Sequence, residues 1–148
     1  MRINIVSMPL MLFLLGMIVY IDISVKALKK LKKYKKHGIS LTGKVIKKNF
    51  DTKAKTAKIH MEYPCDGVYC QGISDDIVSY TIEEAIINFE NDKYYDVLVY
   101  PDDHKYFIRE ADIARSRRHY ITAIPVCAVV SAVILYIVIV GIKLPVDF

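Results

Sequence analysis

The residues of this chain that could do chemistry are three cysteines, four histidines and a run of acids. Cys65 and Cys70 flank Asp66-Gly67, and His60 lies upstream of both. His-x4-Cys-x4-Cys is not a zinc spacing, because structural zinc sites pair ligands about two to four residues apart. A two-residue turn at Asp66-Gly67 sets Cys65 opposite Val68 and Cys70 opposite Tyr63, making the cysteines diagonal neighbours roughly 7–8 Å apart. A disulfide needs Cα atoms within about 4.4–6.8 Å, and a cytoplasmic position keeps thiols reduced, so both read as free thiols. Asp102-Asp103-His104 has the residue types of a metal site, but after Tyr100-Pro101 it reads as a β-turn. His37, His60, His104 and His119 are scattered, no triad spacing recurs, and no Gly-rich phosphate loop is present. The expectation is therefore no catalytic residue, no metal and no cofactor. Asp22, four residues before Lys26, reads as half of an interfacial ion pair.

The elements that must position these residues are bracketed by two apolar spans. Ile5 to Ile21 has Ser7 as its only hydrophilic residue, and Tyr120 to Ile142 has no charge. Roughly 20 mostly apolar residues suffice to cross a bilayer. Directly inside the first span come Lys26, Lys29, Lys30, Lys32, Lys33, Lys35 and Lys36; directly inside the second come Arg115, Arg117 and Arg118. Cytoplasmic flanks collect Lys and Arg, so this pattern predicts a two-pass protein of the plasma (inner) membrane, its centre cytoplasmic and both termini outside. The first span reads as a retained anchor, since no small-x-small cleavage site precedes the lysine run.

Charge by segment removes a nucleic-acid reading. The chain carries a formal net charge of +5, but residues 39–114 hold 9 Lys/Arg against 14 Asp/Glu, a net of −5. The basic character belongs to the membrane flanks, whereas a nucleic-acid reader concentrates it on the folded module. Within 39–114 the first part is basic and the second acidic, so a domain tethered near anionic lipid would turn its Lys-rich hairpin towards the bilayer.

Four regions follow: a first transmembrane helix over 3–25, a basic amphipathic stalk over 26–38, a small β domain over 39–114, and a second transmembrane helix over 120–142. Leu28, Leu31 and Tyr34 lie three apart on one stripe of the stalk, and Gly38 is placed to end the helix. Lys29, Lys30, Lys32, Lys33, Lys35 and Lys36, with Arg115, Arg117 and Arg118, are the residues expected to face lipid head groups, either fixing topology or binding anionic lipid. Ala123, Cys127 and Ser131, spaced by four, either let another helix pack closely or simply face lipid. Pro125 is expected in the first turns of its helix, where a missing donor costs least.

Between the flanks the hydrophobic period drops to two. Strands are expected at Thr42–Phe50, Ala57–Tyr63, Val68–Ile73, Tyr95–Tyr100 and His104–Ile108. Asp66-Gly67 is a strong hairpin signal. Thr81-Ile82-Glu83-Glu84 has the form of a capping box opening a short helix, with Ile82, Ile86 and Phe89 on its buried side. The fold class is an α+β membrane protein, two transmembrane helices flanking a small, mostly-β cytoplasmic domain with one short helix. That domain is either a partly closed barrel of the SH3 or OB type or a five-stranded sheet.

The order of a span, a basic stalk, Thr42-Gly43-Lys44-Val45, a hairpin turning on Asp66-Gly67-Val68-Tyr69, and a strand ending Val97-Leu98-Val99-Tyr100-Pro101-Asp102 resembles the domain-of-unknown-function 3592 group of bacterial membrane proteins. The resemblance covers most of the chain and implies a small β domain tethered to the membrane, with no activity to carry over.

The functional expectation is a non-enzymatic β module acting as a protein-interaction or regulatory element at the cytoplasmic membrane face. Its surface would be the acidic strip from Asp75 to Asp103 and the tyrosines Tyr94, Tyr95 and Tyr100, which read equally as interface or as core. A membrane-resident immunity protein, neutralising a toxin that acts at the bilayer, is the alternative. Expected partners are anionic lipid head groups, an unidentified protein and a second copy through the second transmembrane helix; nucleic acid is not among them.

Overall fold

A computed structural model describes residues 7–143, with side chains from Met8 to Val140. Residues 3–6 of the expected first span, Arg2, Asp147 and the side chain of Lys143 lie outside the described residues. The elements are α1 (Ser7–His37), β1 (Ile39–Asp51), β2 (Thr56–Cys65), β3 (Val68–Ser74), β4 (Tyr80–Thr81), α2 (Ile82–Asn88), β5 (Tyr94–Tyr100), β6 (Asp103–Arg109) and α3 (Asp112–Lys143). Two long apolar helices thus flank a six-stranded mixed sheet with one short helix. Both α1, of 31 residues, and α3, of 32, are long and apolar enough to cross a membrane.

The chain divides into two compact units, one of the apolar helical segments ending at Leu28 and beginning at Arg118, the other of Lys29–Arg117. In the second unit the strand order is β1-β5-β6-β3-β2-β4, and β1 also pairs with β2. β1 manages both pairings by dividing its length. Ile39 to Lys44 lie antiparallel to β5, Lys44 to Asp51 lie antiparallel to β2, and a register shift falls between Val45 and Lys47. Such a bulge bends a strand and increases its local twist. The sheet is mixed because β3 and β6 run parallel, Ile73 beside Tyr106 and Ser74 beside Phe107.

Alternation dictates the core. Ala57, Ile59, Met61, Tyr63 and Cys65 of β2 are buried, with the intervening residues half-buried or exposed. Val45, Val97, Val99 and Phe107 are fully buried within the same unit. Asp66 (φ 48°) and Gly67 (φ 84°) both occupy the left-handed region, which a two-residue type I′ hairpin requires. The register that follows puts Cys65 opposite Val68 and Cys70 opposite Tyr63. Gly72 lies against the ring and hydroxyl of Tyr63, where a Cβ would collide. Its bare backbone lets that ring cross β3 and donate a hydrogen bond to the carbonyl of His104 on β6.

Three local expectations need correcting. A sixth strand, Tyr80–Thr81, pairs with Thr56 and Ala57 of β2; two residues in front of a helix cap are too few to show a period. The capping box is formed, Glu84 N donating to Thr81 Oγ1 at 3.1 Å and Thr81 N to Glu84 Oε2 at 3.0 Å. The helix it opens, however, buries Ala85 and leaves Ile86 57% exposed, while Phe89, the residue that caps its C-terminus, is buried as expected. Finally, α3 starts at Asp112, so Pro125 is interior to the helix and offers no N–H to the carbonyl of Ile121.

Candidate functional site

Three features of the Lys29–Arg117 unit bear on function: a cluster of metal-ligand types, two buried carboxylates, and an exposed tyrosine surface.

The cluster comprises Cys65 at the end of β2, Cys70 on β3 and His104 on β6. One ligand atom from each lies within 4.8 Å of the other two. The β2–β3 hairpin makes the thiols diagonal neighbours, and the parallel β3–β6 pairing delivers the imidazole. The pairs of that ladder are Ile73 with Tyr106 and Ser74 with Phe107, which bring the start of β6, carrying His104, alongside β3. The thiols are free. Burial, then the neighbouring Cys70 and Asp66, pushes the Cys65 thiol up to about 12, which keeps it protonated and unreactive at neutral pH. His60 is elsewhere, its Nε2 2.9 Å from Asn49 Nδ2. Local spacing could not reveal this grouping, because its third member arrives through the pairing of strands distant in sequence.

The carboxylates tie the long helices to the sheet. On the stalk side, Leu31 and Tyr34 of α1 are buried. Tyr34 stacks on Tyr100 with ring centroids 4.1 Å apart and donates a 2.8 Å hydrogen bond to Asp75 Oδ2. Lys30 Nζ reaches the same oxygen at 2.6 Å, and the backbone N–H of Ile77 donates to Oδ1 at 3.2 Å. Asp75, placed by the sequence reading on an exposed acidic strip, is 1% exposed. On the other side, Tyr80 donates to Asp112 Oδ2 at 2.7 Å, and Arg109 grips both oxygens through Nε at 2.7 Å and Nη2 at 2.9 Å. The two arrangements are chemically alike: a buried carboxylate answered by a tyrosine hydroxyl and a close cation, with Arg115 Nη2 a further 3.7 Å from Asp112 Oδ1, the pairing that makes a buried charge tolerable. Burial first, then the facing carboxylate, raises the ionisation of both Tyr34 and Tyr80 well above the ordinary phenol range.

The tyrosine surface lies on an exposed face of the sheet. Tyr69 is 72% exposed and Tyr94 67%, and with Thr42, Lys44, Glu62 and Pro64 they line a shallow groove of about 300 Å³. Tyr95 and Tyr100 do not join it. Tyr95 is half-buried against Phe89 and accepts a hydrogen bond from Glu90 N, while Tyr100 is held by Tyr34 and donates to the carbonyl of Lys30. Much of the acidic strip is paired: Asp76 with Lys58, Glu84 with Arg115, Glu90 with Lys93 and Asp92 with Lys44.

The expected lipid-facing cations divide in the same way. Lys29, Lys32, Lys33, Lys35, Lys36, Arg117 and Arg118 are exposed, though Lys33 also sits over the Tyr100 ring at 4.9 Å. Lys30 is taken by Asp75, and Arg115 by Glu84 at 2.6 Å. In the helical unit Cys127 is buried with Ile134, while Ala123 and Ser131 are half-buried. Asp22 and Lys26 form an i,i+4 ion pair at 2.5 Å.

No family model, no curated protein and no solved structure matches the chain.

Proposed function

We propose that this chain is a two-pass protein of the plasma (inner) membrane whose β unit, on the cytoplasmic face, is a non-enzymatic module that binds a protein partner. The observation that carries the reading is the exposed pair Tyr69 and Tyr94, which line one groove with Pro64. Tyr is the residue type enriched at interfaces, because it presents large contact area with a polar tip and few rotatable bonds. Both groove walls come from paired strands, β1, β2, β3 and β5, so the surface is preorganised. The buried acids do structural work: Asp75 and Asp112 are saturated by tyrosine and cation partners.

The membrane part of the reading is supported by two long apolar helices and by the exposed lysines Lys29, Lys32, Lys33, Lys35 and Lys36 at the end of α1. Those lysines also suit anionic lipid head groups. Pairing of β1 with both β5 and β2 supports a small, partly closed barrel, and the resemblance to the domain-of-unknown-function 3592 group rests on the sequence motifs alone. The Ala123, Cys127 and Ser131 stripe is the proposed contact of the second transmembrane helix with a neighbouring helix.

Photocrosslinking from a benzophenone amino acid at Tyr94 in cells tests the interaction. The proposal expects one discrete crosslinked protein, lost in a Tyr69→Ala background, with no such product from a probe at Lys53 in the β1–β2 turn. Equal, diffuse crosslinking from both positions would overturn it.

A further inference from the structure

We propose that Cys65, Cys70 and His104 bind a zinc ion, leaving one of its coordination positions open. Two thiolates and an imidazole form a donor set that zinc takes in proteins, with Zn–S of about 2.3 Å and Zn–N of about 2.0–2.1 Å. Tetrahedral geometry at those lengths separates the donor atoms by roughly 3.5–3.8 Å. The three ligand atoms already lie within 4.8 Å of one another, so side-chain rotation of about an ångström closes the site.

The backbone is fixed for this purpose by features that need no metal. The type I′ turn at Asp66-Gly67 holds the cysteines in diagonal register. The separation that makes a disulfide awkward suits a bridging ion, since a metal inserts two bond lengths between the sulfurs where a disulfide has one. His104 is held from behind, its carbonyl accepting the Tyr63 hydroxyl, while Tyr63 is itself the register partner of Cys70. Charge also balances. Zinc with two thiolates is neutral, and a neutral assembly can sit beside buried Cys65 where a lone thiolate would be costly. Binding releases the two thiol protons to solvent as two Zn–S bonds form. Water, or a ligand side chain from a bound partner, fills the fourth position.

Burial also orders the donors. Cys65 is buried, and Cys70 and His104 are half-buried, so the open position faces the more accessible side. The site is separate from the Tyr69–Tyr94 groove: on β3, Tyr69 and Cys70 are consecutive and project to opposite faces of the sheet.

The test uses the full chain, reduced and metal-free in detergent micelles, titrated anaerobically with cobalt(II) as a spectroscopic substitute for zinc. The proposal expects saturation at one cobalt per chain with a sulfur-to-cobalt charge-transfer band, bleached by one equivalent of zinc. Cys70→Ser and His104→Gln, both at half-exposed positions, should each weaken binding at least about tenfold, while Cys127→Ser should leave it unchanged. Absence of a charge-transfer band in the unsubstituted chain would overturn the proposal, whatever the folding of the variants. Equal affinity in Cys70→Ser and the unsubstituted chain would overturn it too.

Discussion

Tyr34, near the end of α1, donates its hydroxyl to Asp75 at 2.8 Å across a separation of 41 residues, and both side chains are buried. This bond makes the end of the stalk part of the folded β unit. A stalk built only to fix topology would leave Leu31 and Tyr34 in solvent or lipid. Here they form the packed side of the helix, and Lys29, Lys32, Lys35 and Lys36 form its open side.

Removing the hydroxyl alone should be costly. Tyr34→Phe leaves the ring stacked on Tyr100 but deprives a buried carboxylate of a donor, a loss of about 1.5–3 kcal/mol for a hydrogen bond to a charged group. Tyr94→Phe, at an exposed position, should stay within about 0.5 kcal/mol of the parent. Denaturant unfolding of the full chain in detergent measures both, and equal stability of the two variants would contradict the buried bond.

Alkaline pH should weaken the same contacts. Burial, then Asp75 and Asp112, raises Tyr34 and Tyr80 above the ordinary phenol value of 10.0. The folded chain therefore keeps these protons when the unfolded chain gives them up. Their contribution is complete below about pH 10 and declines as pH rises beyond it. Thermal melts across that range should show a steeper loss for the parent than for the Tyr34→Phe, Tyr80→Phe double variant. Parallel curves would contradict the assignment.

Gly72 is required by the path of Tyr63. Gly72→Ala places a methyl group against the Tyr63 ring and hydroxyl, and Tyr63 is fully buried with its hydroxyl bonded to His104. Overpacking of this kind costs about 1–3 kcal/mol. Chemical denaturation reads it; an unchanged midpoint would mean that Tyr63 moves aside freely.

The short helix gives a contrast between local rule and packing. Thr81→Ala removes the cap and should cost about 1 kcal/mol. Phe89→Ala should cost about 3–5 kcal/mol. Ile86→Ser, at an exposed position, should cost under about 0.5 kcal/mol. A large loss at Ile86 would restore the burial expected from the sequence.

What was legible in the sequence was what local chemistry controls. The two-residue turn is written in Asp66-Gly67, the face of β2 in its alternation, and the start of α2 in Thr81 and Glu84. Strand ends in β1 to β3, β5 and β6 differ from expectation by at most three residues, the usual margin where ladders fray. What stayed hidden depends on partners brought from afar. Asp75 looks like one more surface acid until Tyr34 and Lys30 arrive from α1. His104 looks like part of a turn until the parallel β3–β6 pairing sets it beside Cys70. Ile86 looks apolar enough to be buried, but the face of α2 against the sheet is chosen by Phe89, which meets Tyr80 edge-on with centroids 5.0 Å apart. The stripe Leu28, Leu31 and Tyr34 was the one sequence signal that the stalk packs.

The proposed topology sets the β unit on the cytoplasmic side of a membrane crossed twice. A membrane-impermeant maleimide applied to cells carrying Thr52→Cys, in the exposed β1–β2 turn, tests it most directly when read against cells carrying the unsubstituted chain. That topology predicts no added labelling in intact cells and full labelling once the membrane is permeabilised. Added labelling of intact cells would contradict it.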